Sequence, residues 1–280
     1  MTANPTFAEV FTQRPTAERS SRDVRLLPAV EAAGTVGFGR LLAAEFRKLT
    51  NTRAGRVLLA LIGLSILGIA AALVIWYDLV ATPGAWWIDV TVVSLGATIL
   101  LPILGILLIT QEWSQRSALT TFVLEPRRGR VILAKVLVAL GWVVIGMAAT
   151  VVATMLAHAI GAALHDTPMV WAPEWKMLLG TLVVMLLHTL LAMGLGLVLM
   201  NSPAAIVLYM ALPTLLPIIA MMNDKLATVM TYVDPAKAWA PLHAGMWDGD
   251  IAAKALVAVA IWVVLPVTAG VVRHLRREVN

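Results

Sequence analysis

Six uninterrupted apolar runs set the terms for this chain: Val57–Tyr77, Val90–Thr110, Val131–Ala157, Met177–Met200, Pro203–Met222 and Ile251–Val272. Each reaches the roughly 20 residues that a helix needs to cross the hydrocarbon core of a bilayer. Lipid admits only helices or closed barrels, because backbone polar groups find no water there. A barrel strand needs only about 10 residues of alternating pattern, and these runs are longer and continuous. The expectation is an all-α, multi-pass membrane protein with six transmembrane helices. Composition agrees, with 60% of residues hydrophobic and 13% charged, against about 25% charged in soluble domains.

Residues 1–37 hold Pro5, Pro15 and Pro28 among scattered Arg and Glu without sustained periodicity, which reads as a disordered tail. Residues 38–280 form the membrane domain. No apolar core precedes a cleavage site near the N-terminus, so the first span is expected to act as the insertion signal. Of the 21 Lys and Arg residues, nine precede the first span, five lie in residues 110–135 and three follow the last span. The other side is left with Lys176, Lys225, Lys237 and Lys254. The positive-inside rule then places both termini and the 110–135 passage in the cytoplasm. The basic excess therefore reads as membrane orientation, with no nucleic-acid partner. Trp76, Tyr77, Trp86, Trp87, Trp171, Trp175, Trp239 and Trp247 fall at the opposite ends, where an aromatic belt is expected.

Two polar stretches stand beside the spans. In residues 38–56, Phe38, Leu41, Leu42, Phe46 and Leu49 recur at helical spacing, with Arg40, Arg47, Lys48, Arg53 and Arg56 elsewhere. This is the pattern of a basic amphipathic helix lying in the membrane interface, with anionic lipid as its partner and a break at Gly55. In residues 110–135, Trp113–Leu124 is helix-compatible, with Ala118, Leu119, Phe122 and Val123 on one face. Pro126 stops that helix and Arg127–Arg130 turn the chain into the third span. A short amphipathic helix between two spans, on the basic side, is what a docking element for a cytoplasmic partner looks like.

The order Thr110-Gln111-Glu112, a Ser/Thr-rich helix, then Glu125-Pro126-Arg127-Arg128-Gly129-Arg130 and Lys135 resembles the permease subunits of type 2 ATP-binding-cassette exporters, particularly actinobacterial ones. Glu45-Phe46-Arg47-Lys48-Leu49, followed by Thr52-Arg53, resembles that family's interfacial helix. The chain departs from the family at Arg116-Ser117-Ala118, where many members carry a Gly-Thr pair. The resemblance covers about residues 39–280 and implies a bacterial cell-membrane exporter working by alternating access. It implies a separate ATPase subunit carrying ATP and magnesium, and a second permease copy or sister permease. Glu112, Trp113, Arg116, Leu119, Phe122, Pro126, Arg127, Arg128 and Arg130 would then form the coupling element that meets the ATPase. Phe38, Leu42, Glu45, Phe46, Arg47, Lys48 and Leu49 would form the interfacial helix. Short re-entrant helices are expected in Asn223–Asp250, closing the outer mouth.

Other chemistries find little purchase. The chain has no cysteine, which excludes disulfides and thiol catalysis. It has no G-x-x-x-x-G-K-[ST] phosphate loop, so any ATP hydrolysis belongs to another polypeptide. The interiors of the six runs hold no Asp or Glu, which argues against an intramembrane hydrolase or an ion-coupled secondary transporter. A non-transporting anchor or sensor subunit stays open. The 13 methionines form no ladder with histidine at metal spacing and read as adaptable apolar lining. His188, mid-span, either lines a cavity or bonds a backbone carbonyl or neighbouring hydroxyl; His158 and His165 read as interfacial. Ser202 is expected to cap the fifth helix, Pro213 and Pro217 to kink it, and Gly63, Gly68, Gly96, Gly105, Gly194 and Gly196 to allow close packing.

Overall fold

Sustained apolar runs without β-period alternation give helices, and every regular element among the described residues is helical. The computed structural model describes residues 37–80, 86–114, 128–167 and 173–276. The chain divides into residues 1–35 and 36–280, and all described residues lie in the second unit. In order they form α1 (Phe38–Asn51), α2 (Arg53–Ile75), α3 (Tyr77–Val80), α4 (Trp86–Val93) and α5 (Leu95–Ser114). There follow α6 (Arg128–Leu164), α7 (Trp175–Leu199), α8 (Ser202–Ala220), α9 (Asp224–Val233) and α10 (Pro235–His243). Last come α11 (Gly249–Val259), a π-turn (Ala260–Val264) and α12 (Leu265–Arg276).

Five helical rods are long and apolar enough to cross a membrane: α2, α6, α7, α8 and the α11–α12 rod. The pair α4–α5 passes the same test jointly but is bent by 42°, which makes six if the pair is one span. The bend falls at Ser94, whose hydroxyl donates to Thr91 O at 2.8 Å. A serine that bonds back into the preceding turn competes with the helical ladder and bends it. The expected second run began at Val90, whereas the apolar helix pair starts at Trp86 and continues to Ser114. Trp113, expected to open the coupling helix, is therefore part of α5.

α5 and α7 occupy the centre. Small residues let the rods approach, as expected, at four of the six glycines singled out. A Cβ on Gly96 would strike Ser65, one on Gly105 would press on Met193, one on Gly194 would meet Pro266, and one on Gly196 would meet Ile109. Gly63 and Gly68 instead face open space. The tightest contact was not foreseen: α10 lies across α7 so closely that a Cβ on Gly180 would sit 1.7 Å from the Leu242 carbonyl oxygen.

Caps at the helix starts correct two expectations. The α1–α2 break falls at Thr52, not Gly55. Thr52 Oγ1 accepts from Gly55 N at 3.1 Å, and Gly55 is required because a Cβ there would lie 1.9 Å from Leu49 O. At α8 the cap is Asn201, whose side chain accepts from Ala204 N at 3.0 Å, and Ser202 is freed for another bond. The α7–α8 connection is tight because Met200 adopts the left-handed conformation, φ 53°. α8 then runs unbroken with Pro213 and Pro217 inside it.

The α7–α10 contact yields a direct test. Gly180→Ala forces backbone apart and should cost about 1–3 kcal/mol, the range for overpacking. Gly63→Ala meets nothing within 4 Å and gains helix propensity, by up to about 1 kcal/mol. Thermal unfolding in detergent should show a lower midpoint for Gly180→Ala and an unchanged or higher one for Gly63→Ala; equal midpoints would refute this packing.

Candidate functional site

The coupling passage is described only at its margins, because Arg116, Leu119, Phe122, Pro126 and Arg127 lie outside the described residues. Glu112 and Trp113 belong to the last turn of α5, and Arg128 and Arg130 to the first turn of α6. Both margins are tied into the bundle by buried polar contacts. On the α5 side, Thr110 Oγ1 donates to Ile106 O at 2.7 Å and meets Ser202 Oγ of α8 at 2.6 Å, both hydroxyl residues buried. On the α6 side, Lys135 Nζ lies 2.8 Å from Glu45 Oε2 of α1 and 3.0 Å from Leu108 O of α5.

The Glu45–Lys135 pair is the most deeply buried charge arrangement at this end. The side chains are 0% and 2% exposed, respectively. The other carboxylate oxygen, Oε1, takes the Lys48 ammonium at 2.6 Å. Glu45 thus stands on the buried stripe of α1 with Leu41 and Leu49, four residues apart, while Phe46 turns outward at 42% exposure and stacks on Trp142 with centroids 5.4 Å apart. The amphipathic pattern grouped Phe46 with Leu41 and Leu49 on one stripe; in the structure Glu45 holds the buried position between those leucines and Phe46 lies beside it. Lys135 explains it: a lysine in the second turn of a buried helix demands a carboxylate, and α1 supplies one.

His188 of α7 is half-buried. Its Nδ1 donates to Val184 O at 3.0 Å, and its ring stands edge-on to Trp239 with centroids 5.0 Å apart. Together with Tyr209, Leu212, Pro213 and Asp234 it borders a cavity of about 20 Å³, room for about one water and no more. Of the two roles left open for His188, the backbone bond is present, and the adjoining space is far smaller than a transport pathway. Asp234 caps α10 by accepting from Ala236 N at 2.9 Å, and its other oxygen has no partner among the described residues. A hydroxyl thread joins the neighbourhood: Thr91 to Thr181 at 3.4 Å, and Thr181 to His243 Nδ1 at 3.2 Å. Burial lowers the proton affinity of the His243 imidazole, which keeps it neutral in this thread.

A second ionic site was missed. Asp89 of α4 and His158 of α6 pair at 2.8 Å, both nearly inaccessible, against the edge of Tyr77. The six runs as bounded hold no carboxylate, but the helix pair begins four residues before Val90 and carries Asp89 within it. His158 is a core residue and not an interfacial one. His165, beyond the end of α6, does sit partly exposed, 2.9 Å from Asp78. The expected aromatic belt splits in the same way. Trp76, Trp175 and Trp247 are exposed, while Tyr77, Trp86 and Trp239 are buried in the packing. Among the described residues no three His, Asp or Glu side chains converge as a metal site would need.

No model of a known protein family matches this chain, and no curated protein matches it either.

The inner ion pair can be weighed by a double-mutant cycle. Lys135→Met should cost up to about 3–5 kcal/mol, since Glu45 would keep only the half-exposed Lys48. Adding Glu45→Gln removes the stranded charge and should recover a large part of that loss in detergent thermal unfolding. Strictly additive losses would show that the two groups do not interact.

Proposed function

We propose that this chain is the permease subunit of an ATP-binding-cassette exporter, with six spans in which the bent α4–α5 pair counts as one. In this reading α1 is the interfacial helix, both termini face the cytoplasm of a bacterial cell, and the passage between α5 and α6, whose residues 115–127 lie outside the described residues, is what a separate ATPase subunit grips. The chain itself is not an enzyme; ATP and magnesium reside on the partner. A second permease copy or a sister permease completes the pathway for a hydrophobic or amphipathic substrate.

The observation that carries this reading is the bracing of the passage margins. A push on residues 115–127 reaches α8 through Thr110–Ser202 and α1 through Lys135–Glu45, while α5 and α6 are themselves spans. Because those contacts are buried and short, displacement of the passage moves rigid rods together and is not absorbed locally. The resemblance of residues 110–135 to the exporter family supports the same assignment.

A second reading draws on Asp89–His158. A buried carboxylate–imidazole pair inside apolar helices is the kind of group an ion-coupled secondary transporter uses. Its signature would be transport driven by an ion gradient with no ATPase subunit in the complex.

The ATPase reading is tested at the apolar face of the passage. Burying a Leu or Phe is worth roughly 1.5–3 kcal/mol, about one to two decades in dissociation constant. Leu119→Asp and Phe122→Asp should therefore release the ATPase from the solubilised complex while insertion of the permease is retained. Arg116→Ala, with an exposed pair worth below about 1 kcal/mol, should leave the complex intact. Wild-type recovery of the ATPase with both Asp variants would overturn the docking assignment.

A further inference from the structure

α1 and α6 leave a groove between them on their outward sides, about 340 Å³ in volume, and its walls are apolar. Phe46 and Trp142 stack nearly parallel, at 4°, and form one flat wall. Leu137 and Ile145 supply the other wall and are exposed at 42% and 50%. The floor is Gly141, where an added Cβ would meet no atom within 4 Å. The groove exists because that residue has no side chain, which leaves open space between the Phe46–Trp142 contact and Ile145.

The rim is charged with one sign. Arg47 borders the groove and is exposed; Arg40 lies two turns back on the same helical stripe, with Ala43 between them. Glu45 is the only acidic residue of α1, and it is buried beneath Lys48 and Lys135 and cannot offset the arginines. An apolar slot open on the outside of the bundle and crowned by two exposed arginines is complementary to a chain with an anionic head.

We infer that this groove holds one anionic membrane phospholipid, an acyl chain lying between the Phe46–Trp142 wall and Ile145 and its phosphate at Arg47 and Arg40. The lipid fills the space under α1 that side chains leave empty, and so fastens the helix to the bundle at a point the Glu45–Lys135 pair does not reach. Zwitterionic lipids offer the same acyl chain but neutralise their own phosphate, so they bind with less gain from the arginines. The inference rests on the chain being membrane-embedded, and stands whether or not an ATPase drives it.

The test uses the full-length protein in dodecyl maltoside, titrated with dioleoylphosphatidylglycerol or dioleoylphosphatidylcholine and followed by native mass spectrometry and thermal unfolding. The wild type should retain one phosphatidylglycerol, bound on the order of tenfold more tightly than phosphatidylcholine, with a matching rise in unfolding midpoint. Gly141→Leu, whose Cβ meets no atom within 4 Å, places a side chain in the open floor and should lose the retained lipid while folding normally. Arg40→Gln with Arg47→Gln keeps the slot and should bring the two lipids to parity. Equal retention of both lipids by the wild type would overturn the inference. So would undiminished selectivity in the double arginine variant, a result that can be read even if Gly141→Leu folds poorly.

Discussion

A single buried carboxylate decides how this molecule begins. Glu45 is inaccessible, yet it holds two ammonium groups, Lys48 from its own helix and Lys135 from α6, and Lys135 in turn reaches the Leu108 carbonyl of α5. An isolated charge at that depth would be prohibitive, and the arrangement is tolerable only because every partner is in place at once. Directionality follows from that demand: leucines alone would let α1 slide or roll on α6, whereas the Glu45–Lys135 bond, with Lys135 itself held by the Leu108 carbonyl, fixes its register. The capped turn at Thr52, closed over Gly55, then delivers the chain into α2 without slack. The groove beside Phe46 lies along the same contact, over Gly141 of α6.

The polar contacts of the bundle divide by height. At the end where α1 lies, Glu45–Lys135 and Thr110–Ser202 tie the margins of the 110–135 passage to α1 and α8. At the other end, Asp89–His158 ties α4 to α6, and Thr91, Thr181 and His243 link α4, α7 and α10. Between them the rods meet mainly through glycine and aliphatic surface, with Tyr209 Oη of α8 donating to Thr98 O of α5 at 3.5 Å. In apolar surroundings such bonds are few and positional, and packing supplies most of the cohesion. In the proposed reading as a permease, bracing at both ends would let the rods move together in the rocking that alternating access needs.

How much of this could be read from the residues depended on range. The apolar runs announced every long helix, because a 20-residue requirement leaves little ambiguity. The small-residue contacts at Gly96, Gly105, Gly194 and Gly196 were legible for the same local reason. What escaped was pairing at a distance. Nothing within Ala-Glu-Phe-Arg-Lys says that Glu45 turns inward, since its partner Lys135 stands 90 residues later. Asp89 sat one residue outside the expected run, and its imidazole partner is 69 residues away. Trp239 looked like belt material by composition, but its indole donates to Ala255 O at 3.4 Å inside the packing of α10 on α11. Periodicity reports which face of a helix is apolar; it does not report which polar residue another helix will satisfy.

In the proposed orientation, the basic end of the bundle that bears α1 and the margins of the 110–135 passage meets the cytoplasm, where a partner supplies energy. The absence of cysteine makes the claim directly measurable. Single-cysteine variants Gly37→Cys, just before α1, and Lys225→Cys, exposed on α9, can be challenged with a membrane-impermeant maleimide in intact and permeabilised cells. Lys225→Cys should be labelled in intact cells and Gly37→Cys only after permeabilisation. Labelling of Gly37→Cys in intact cells, with Lys225→Cys shielded, would invert the molecule and contradict that orientation.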